Sequence, residues 1–153
     1  MAALHFDENL VVFVEEASSP AEVEAQLAAV LEKQGYVKDS FVPALLAREQ
    51  EYPTALEVGK HNVAIPHTDA EHTLKGAVCV GILEKPVTWQ RMDDSDESCD
   101  VDFVVMLALN DPHDHLDMLQ KVIALVQDQD LVGRIVAEKD HAAVAALVAP
   151  RLV

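Results

Sequence analysis

Apolar positions recur along this chain with two different periods. Residues 4–14 (Leu4 to Val14) are apolar with partial alternation and rich in Val and Phe, which predicts a first strand. The period then changes. Ser19-Pro20-Ala21-Glu22 reads as an N-cap, a proline at the first helical position and a capping-box glutamate. Val23, Leu27, Val30 and Leu31 follow at i, i+4, i+7 and i+8, one face of a helix that Gly35 stops. A second helix is predicted from Asp39 or Ser40 to about Glu51. Phe41, Val42, Leu45 and Leu46 form its apolar side, and Tyr52-Pro53-Thr54 ends it. Pro43 is close enough to the start to be tolerated. Arg48 falls at the edge of the apolar side on 100° steps.

Residues 62–65 read as a short strand stopped by Pro66. That proline biases Ile65 to an extended backbone, so His67 stands at the strand's exit. Residues 76–83 read as another strand, with Pro86 and Trp89 in a following turn or short strand. The stretch 93–102, with its six carboxylates, reads as a solvated acidic loop. Val101 to Leu109 is nearly continuous apolar sequence, the pattern of a central strand covered on both faces. Asn110-Asp111-Pro112 caps a third helix whose expected face is Leu116, Leu119, Val122, Ile123 and Val126. Two more helical pieces lie near Leu131–Ala137 and from Asp140 to Ala149. Strands interleaved with helical pairs imply an α/β fold, a three-layer α/β/α sandwich with a mixed central sheet. No repeat or linker divides residues 1–153, which reads as one domain.

Composition narrows the functional classes. Half of the 153 residues are apolar and a quarter are charged, which excludes a disordered or fibrous chain. No apolar run approaches the roughly 20 residues of a membrane span. No secretory signal is expected, since no basic segment precedes a long apolar one. Lys and Arg number 11 against 27 Asp and Glu, a formal charge of −16. Such a surface repels nucleic-acid phosphates and anionic lipid, and suits a basic protein partner. The two cysteines, Cys79 and Cys99, form no C-x-x-C pair, as in a cytosolic protein with reduced thiols. Cys79 reads as core. Cys99 sits among carboxylates, which disfavour a thiolate.

Three residues stand out for chemistry. His67 follows a strand and a proline, where a fixed backbone can present an imidazole beyond the sheet, and imidazole is nucleophilic at neutral pH. The alternative is a loop histidine without a role. His115 falls in the first turn of the third helix, where free N–H groups favour an anion; it equally suits a half-buried ring satisfied by a carbonyl. Arg48 could grip phosphate or carboxylate, or simply pair with Tyr52 or a nearby acid. His61, His67 and His72, or His113 and His115, do not match a tight zinc spacing, so no metal is expected. No G-x-S-x-G, Walker A or Rossmann glycine pattern occurs, and no cofactor is implied.

Taken together, the run Ala44-Leu45-Leu46-Ala47-Arg48-Glu49, then Pro53-Thr54, then Asn62-Val63-Ala64-Ile65-Pro66-His67, resembles the A component (EIIA) of the bacterial sugar phosphotransferase system, fructose/mannitol superfamily. The likeness continues through the acidic stretch, the strand at 101–109 and His113-Asp114-His115-Leu116. Arg48 to Tyr52 and Ala-Ile-Pro-His look most like galactitol-type members.

The resemblance implies a cytoplasmic phosphotransferase. His67 would accept a phosphoryl group from phospho-HPr, on Nε2, and pass it to a cysteine of the cognate EIIB, which works with the membrane component EIIC. Arg48 would steady the phosphoryl oxygens. His115 matches a second histidine of mannitol-type members that hydrogen-bonds the group, and that some galactitol-type relatives lack. Thr54 matches a family position near the site, and Ala55 replaces a frequent glycine. Two rivals stand beside this reading. One is a regulatory relative that takes phosphate without feeding a transporter; the other is a metal- or anion-binding module using His61, His67 and His115.

Overall fold

The apolar run at 101–109 lies in the middle of the sheet. The computed structural model describes residues 4–152. Its strands are β1 (Val11–Val14), β2 (Ala55–Leu56), β3 (Asn62–Ala64), β4 (Ala77–Gln90) and β5 (Ser98–Ala108). They are ordered β1-β4-β5-β3-β2. β1–β4 and β3–β5 are parallel, and β4–β5 and β2–β3 antiparallel, so the sheet is mixed. The helices are α1 (Pro20–Lys33), α2 (Phe41–Glu51), α3 (His113–Gln127), α4 (Gln129–Ala137) and α5 (His141–Leu152).

The side chains of β5 divide between two cores, which makes the fold three-layered. Val104, Met106 and Ala108 pack with Leu27 and Leu31 of α1 and Phe41 and Leu45 of α2. Phe103, Val105 and Leu107 pack on the other face with Met118, Val122 and Leu125 of α3, Ile135 of α4 and Val148 of α5. The alternation slips at Asp102, where β3 also shifts register and the stretch of β4 after Ile82 bulges outward.

Both ends of α1 follow the sequence. Ser19 Oγ accepts from the N–H of Glu22 at 3.3 Å. Glu22 bonds back to the N–H of Ser18 at 2.7 Å, one residue earlier than an ideal capping box. Gly35 has φ +84. With its N–H on Glu32 and that of Tyr36 on Leu31, it closes the helix in a Schellman turn.

Four expectations are corrected. The segment 4–14 is not one strand: Asp7 accepts from the N–H of Asn9 and opens a 3-10 turn at Glu8–Leu10, leaving only β1. β4 does not end near Leu83; it bulges around Pro86, whose missing N–H is tolerated there, and re-pairs to bury Trp89. The acidic loop is shorter than expected, because β5 begins at Ser98 and includes Asp100 and Asp102. The buried face of α3 is Met118, Val122, Leu125 and Val126, so it is rotated from the expected stripe and leaves Leu116 64% exposed. The two-residue β2 has too short a pattern to register in the sequence.

Candidate functional site

β3 and β5 run parallel, so their C-terminal ends open on the same edge of the sheet. Sites in α/β folds favour that edge. His67 follows β3 through Pro66, whose carbonyl accepts the N–H of Leu107 at 3.0 Å. α3 starts just beyond β5 and brings His115. Arg48 arrives from the last turn of α2. The three residues foreseen in the sequence therefore meet from three separate elements. They line one open cavity of about 450 Å³ with Thr68, Asp69, Ala70, Glu71, Leu109, Asp111 and Pro112.

The His67 ring is half-buried, and its Nδ1 lies 2.8 Å from the carbonyl oxygen of Ile65. A carbonyl only accepts, so Nδ1 carries the hydrogen, and in the neutral ring Nε2 keeps its lone pair. The centroids of His67 and His115 are 4.6 Å apart. Burial pushes the His67 imidazolium down to about 4, with His115 and Arg48 adding to the fall and the Ile65 carbonyl and Asp69 opposing it. Burial, then Arg48, lowers His115 as well. Both effects favour neutral rings at neutral pH.

Arg48 makes both ordinary pairings open to it while lining the cavity. Its Nη1 is 3.9 Å from Asp69 Oδ1, and its guanidinium carbon is 5.4 Å from the centre of the Tyr52 ring. Its Nε is buried without a hydrogen-bond partner. Asp69 and Glu71 were not singled out in the sequence, and Asp111 only as part of the cap of α3. Asp69 stands two residues after His67, and Asp111 accepts the N–H of His113 at 3.0 Å as α3 begins; proximity to the Pro-His and Asp-Pro signals could have marked both.

His61 does not join this group. It lies at the opposite end of β3, with Nδ1 2.7 Å from Asp102. His72 instead bonds Ser40 Oγ at 2.9 Å. Among the described residues, no three His, Cys, Asp or Glu side chains converge as a metal-holding group. Both thiols are buried; burial pushes Cys79 up to about 12, and burial followed by Glu57 pushes Cys99 up to about 11.

The family model of the phosphoenolpyruvate-dependent sugar phosphotransferase system, EIIA 2, matches residues 4–149. The chain belongs to this EIIA family. It is 32% identical over 102 residues to the galactitol-specific EIIA component of Escherichia coli (strain K12), covering 67% of each chain. It is 28% identical over 122 residues to a nitrogen regulatory protein of Bradyrhizobium diazoefficiens, covering 80% of this chain and 76% of that one. In fold, this EIIA is similar to Escherichia coli enzyme IIA of mannitol in its complex with phosphorylated enzyme IIB, with a TM-score of 0.79 and 21% identity. That match covers 97% of this chain and 99% of the other. No described helix of this EIIA is long and apolar enough to cross a membrane.

Proposed function

We propose that this chain is a cytoplasmic phosphocarrier, with His67 as the residue that is phosphorylated. Nε2 of His67 attacks the phosphorus of phospho-HPr, its N–P bond forms as the donor histidine's N–P bond breaks, and the group then passes to a cysteine thiolate of a cognate EIIB. EIIC receives the sugar at the membrane, and galactitol is the substrate favoured by the 32% identical relative. One observation carries the reading: a neutral imidazole whose Nδ1 is held by a carbonyl lies in an open cavity with a guanidinium and a second imidazole.

Phosphoryl exchange between two nucleophiles needs alignment and charge stabilisation more than covalent help from the protein. Arg48 supplies positive charge in the cavity, and the first turn of α3 adds the ring of His115, the N–H groups of residues 113–115 being held by Asp111 and Pro112. The cavity's openness suits a group that two proteins must reach in turn. Leu116, 64% exposed beside His115, and Tyr52, 57% exposed against Arg48, give a partner apolar footing. The charge of −16 speeds encounter with a carrier that has a basic contact patch.

The test is incubation with phosphoenolpyruvate, enzyme I and HPr. It should place one acid-labile phosphate on the protein, and absence of that phosphate refutes the reading. Arg48→Ala should slow transfer by about 100-fold while leaving the circular dichroism unchanged, as expected for removing a charge stabiliser from the reacting centre. Rapid-quench kinetics measures the effect, and a wild-type rate removes Arg48 from the mechanism. His115→Ala should cost about tenfold, near the worth of one hydrogen bond to a charged group. An effect equal to that of replacing His67 would show that the two histidine roles are confused.

The similarity to the nitrogen regulatory protein favours a second reading, in which His67 is phosphorylated but the product is a binding signal. Phosphoprotein that discharges to EIIB supports transport; phosphoprotein that is stable to every EIIB supports regulation.

A further inference from the structure

Glu49 occupies a place meant for an apolar side chain. Phe41, Leu45 and Glu49 lie at i, i+4 and i+8 on the buried side of α2, and Glu49 is 9% exposed. Burial raises its carboxyl above the usual range. Three donors nevertheless meet the side chain. Oε2 accepts the N–H of Thr54 at 2.7 Å and the indole N–H of Trp89 at 3.1 Å, and Oε1 accepts the Thr54 hydroxyl at 2.7 Å.

Thr54 passes this hold to the end of β3. Its Oγ1 accepts the N–H of Ile65 at 3.2 Å, and its carbonyl shares the same N–H at 3.3 Å. Ile65 then offers its own carbonyl to Nδ1 of His67 at 2.8 Å. The next residue, Pro66, has no N–H to give. Its carbonyl binds Leu107 of β5. Residues 65–67 are thus tied to β5 on one side and to Thr54 on the other. Without the Thr54 hydroxyl, the second tie rests on the 3.3 Å bond to the Thr54 carbonyl alone.

We infer that Glu49 and Thr54 are positioning residues for His67: a buried carboxylate and hydroxyl that hold the Ile65 carbonyl where it keeps the ring's hydrogen on Nδ1 and leaves Nε2 free. The inference rests on the proposed role of His67, but its first readout does not need phosphorylation. A purely structural network, closing the turn after α2 and anchoring Trp89, would change stability and leave the imidazole tautomer alone.

The experiment is nitrogen-15 NMR of the His67 ring in the unphosphorylated protein at neutral pH, for wild type, Thr54→Val and Thr54→Ser. Wild type should show the Nδ1–H form. Thr54→Val keeps the shape and removes the hydroxyl; the tautomer ratio should move about fivefold toward Nε2–H, the share of one ordinary hydrogen bond. Transfer from phospho-HPr should slow by about the same factor with unchanged KM for phospho-HPr, because alignment is lost and not docking. Thr54→Ser should restore both.

A wild-type ring protonated on Nε2, or a folded Thr54→Val with an unaltered tautomer, overturns the inference, as does failure of Thr54→Ser to rescue. Where Thr54→Val does not fold, Glu49→Gln is read in the same way, since its amide leaves the Thr54 hydroxyl hydrogen without an acceptor. A wild type that takes no phosphate from HPr, together with the tautomer shift in Thr54→Val, refutes the proposed function alone.

Discussion

Replacement of His67 by glutamine or alanine should abolish phosphorylation from phospho-HPr, by at least about 1,000-fold, since no other group can take over a nucleophile's bond. The chain has seven histidines, so the prediction discriminates among them. His61 is committed to Asp102 and His72 to Ser40. His141 is the informative control: its Nδ1 also meets a carbonyl, that of Val11 at 2.8 Å, but its ring packs edge-on against Phe13. It has the local hydrogen bond of His67 and lies outside the cavity lined by Arg48 and His115. His141→Gln should therefore keep full labelling. Mass spectrometry under alkaline conditions, which preserve an acid-labile phosphate, reads both variants. Phosphate persisting in a folded His67→Gln protein would end the assignment.

The candidate site was legible where a local rule fixes backbone direction. Pro66 forces Ile65 into extended geometry, so His67 had to leave the strand end. The proline at 112 started a helix close behind β5, and Arg48 sat at an edge of α2. That β3 and β5 run parallel, and so open on one side, depends on pairing between distant segments and has no local signature. The errors have the same origin. Pro86 punctuates the chain locally, but β5 re-pairs with Val87–Gln90 beyond the bulge. Leu116 fits an apolar stripe on α3, but the sheet lies under Met118 and Val122, 200° and 240° around the helix on 100° steps. Glu49 was visible as a break in the Phe41–Leu45 stripe. The reason for a carboxylate there lies in Thr54 and Trp89, whose proximity the sequence does not encode locally.

Glu24 breaks the stripe of α1 in the same way but finds no partner, and its replacement should stabilise the protein. The residue is 1% exposed, and neither carboxyl oxygen has a hydrogen-bond partner. Burial, with Glu49 nearby, pushes its carboxyl up to about 9. Between the ordinary value of 4.5 and about 9, the folded chain holds a proton that the unfolded chain has released, so stability falls as pH rises across that window. Below 4.5 both states are protonated and the cost vanishes. Glu24→Gln keeps the shape, stays neutral at every pH and leaves a comparable amide in the same place. It should match wild type near pH 4 and exceed it by about 3.5 kcal/mol at pH 7, at about 1.4 kcal/mol per pH unit above the ordinary value of 4.5. That corresponds to roughly 7–14 °C in Tm for a chain of this size. His67 acts in the opposite sense: its lowered value makes stability rise with pH between 6.5 and about 4 in both proteins, so it cancels in the difference. Denaturant melts of the two proteins from pH 4.5 to 8.5 measure the gap directly. A gap that does not widen with pH would mean that Glu24 is solvated or paired in solution, contrary to the buried, partnerless position between α1 and α2.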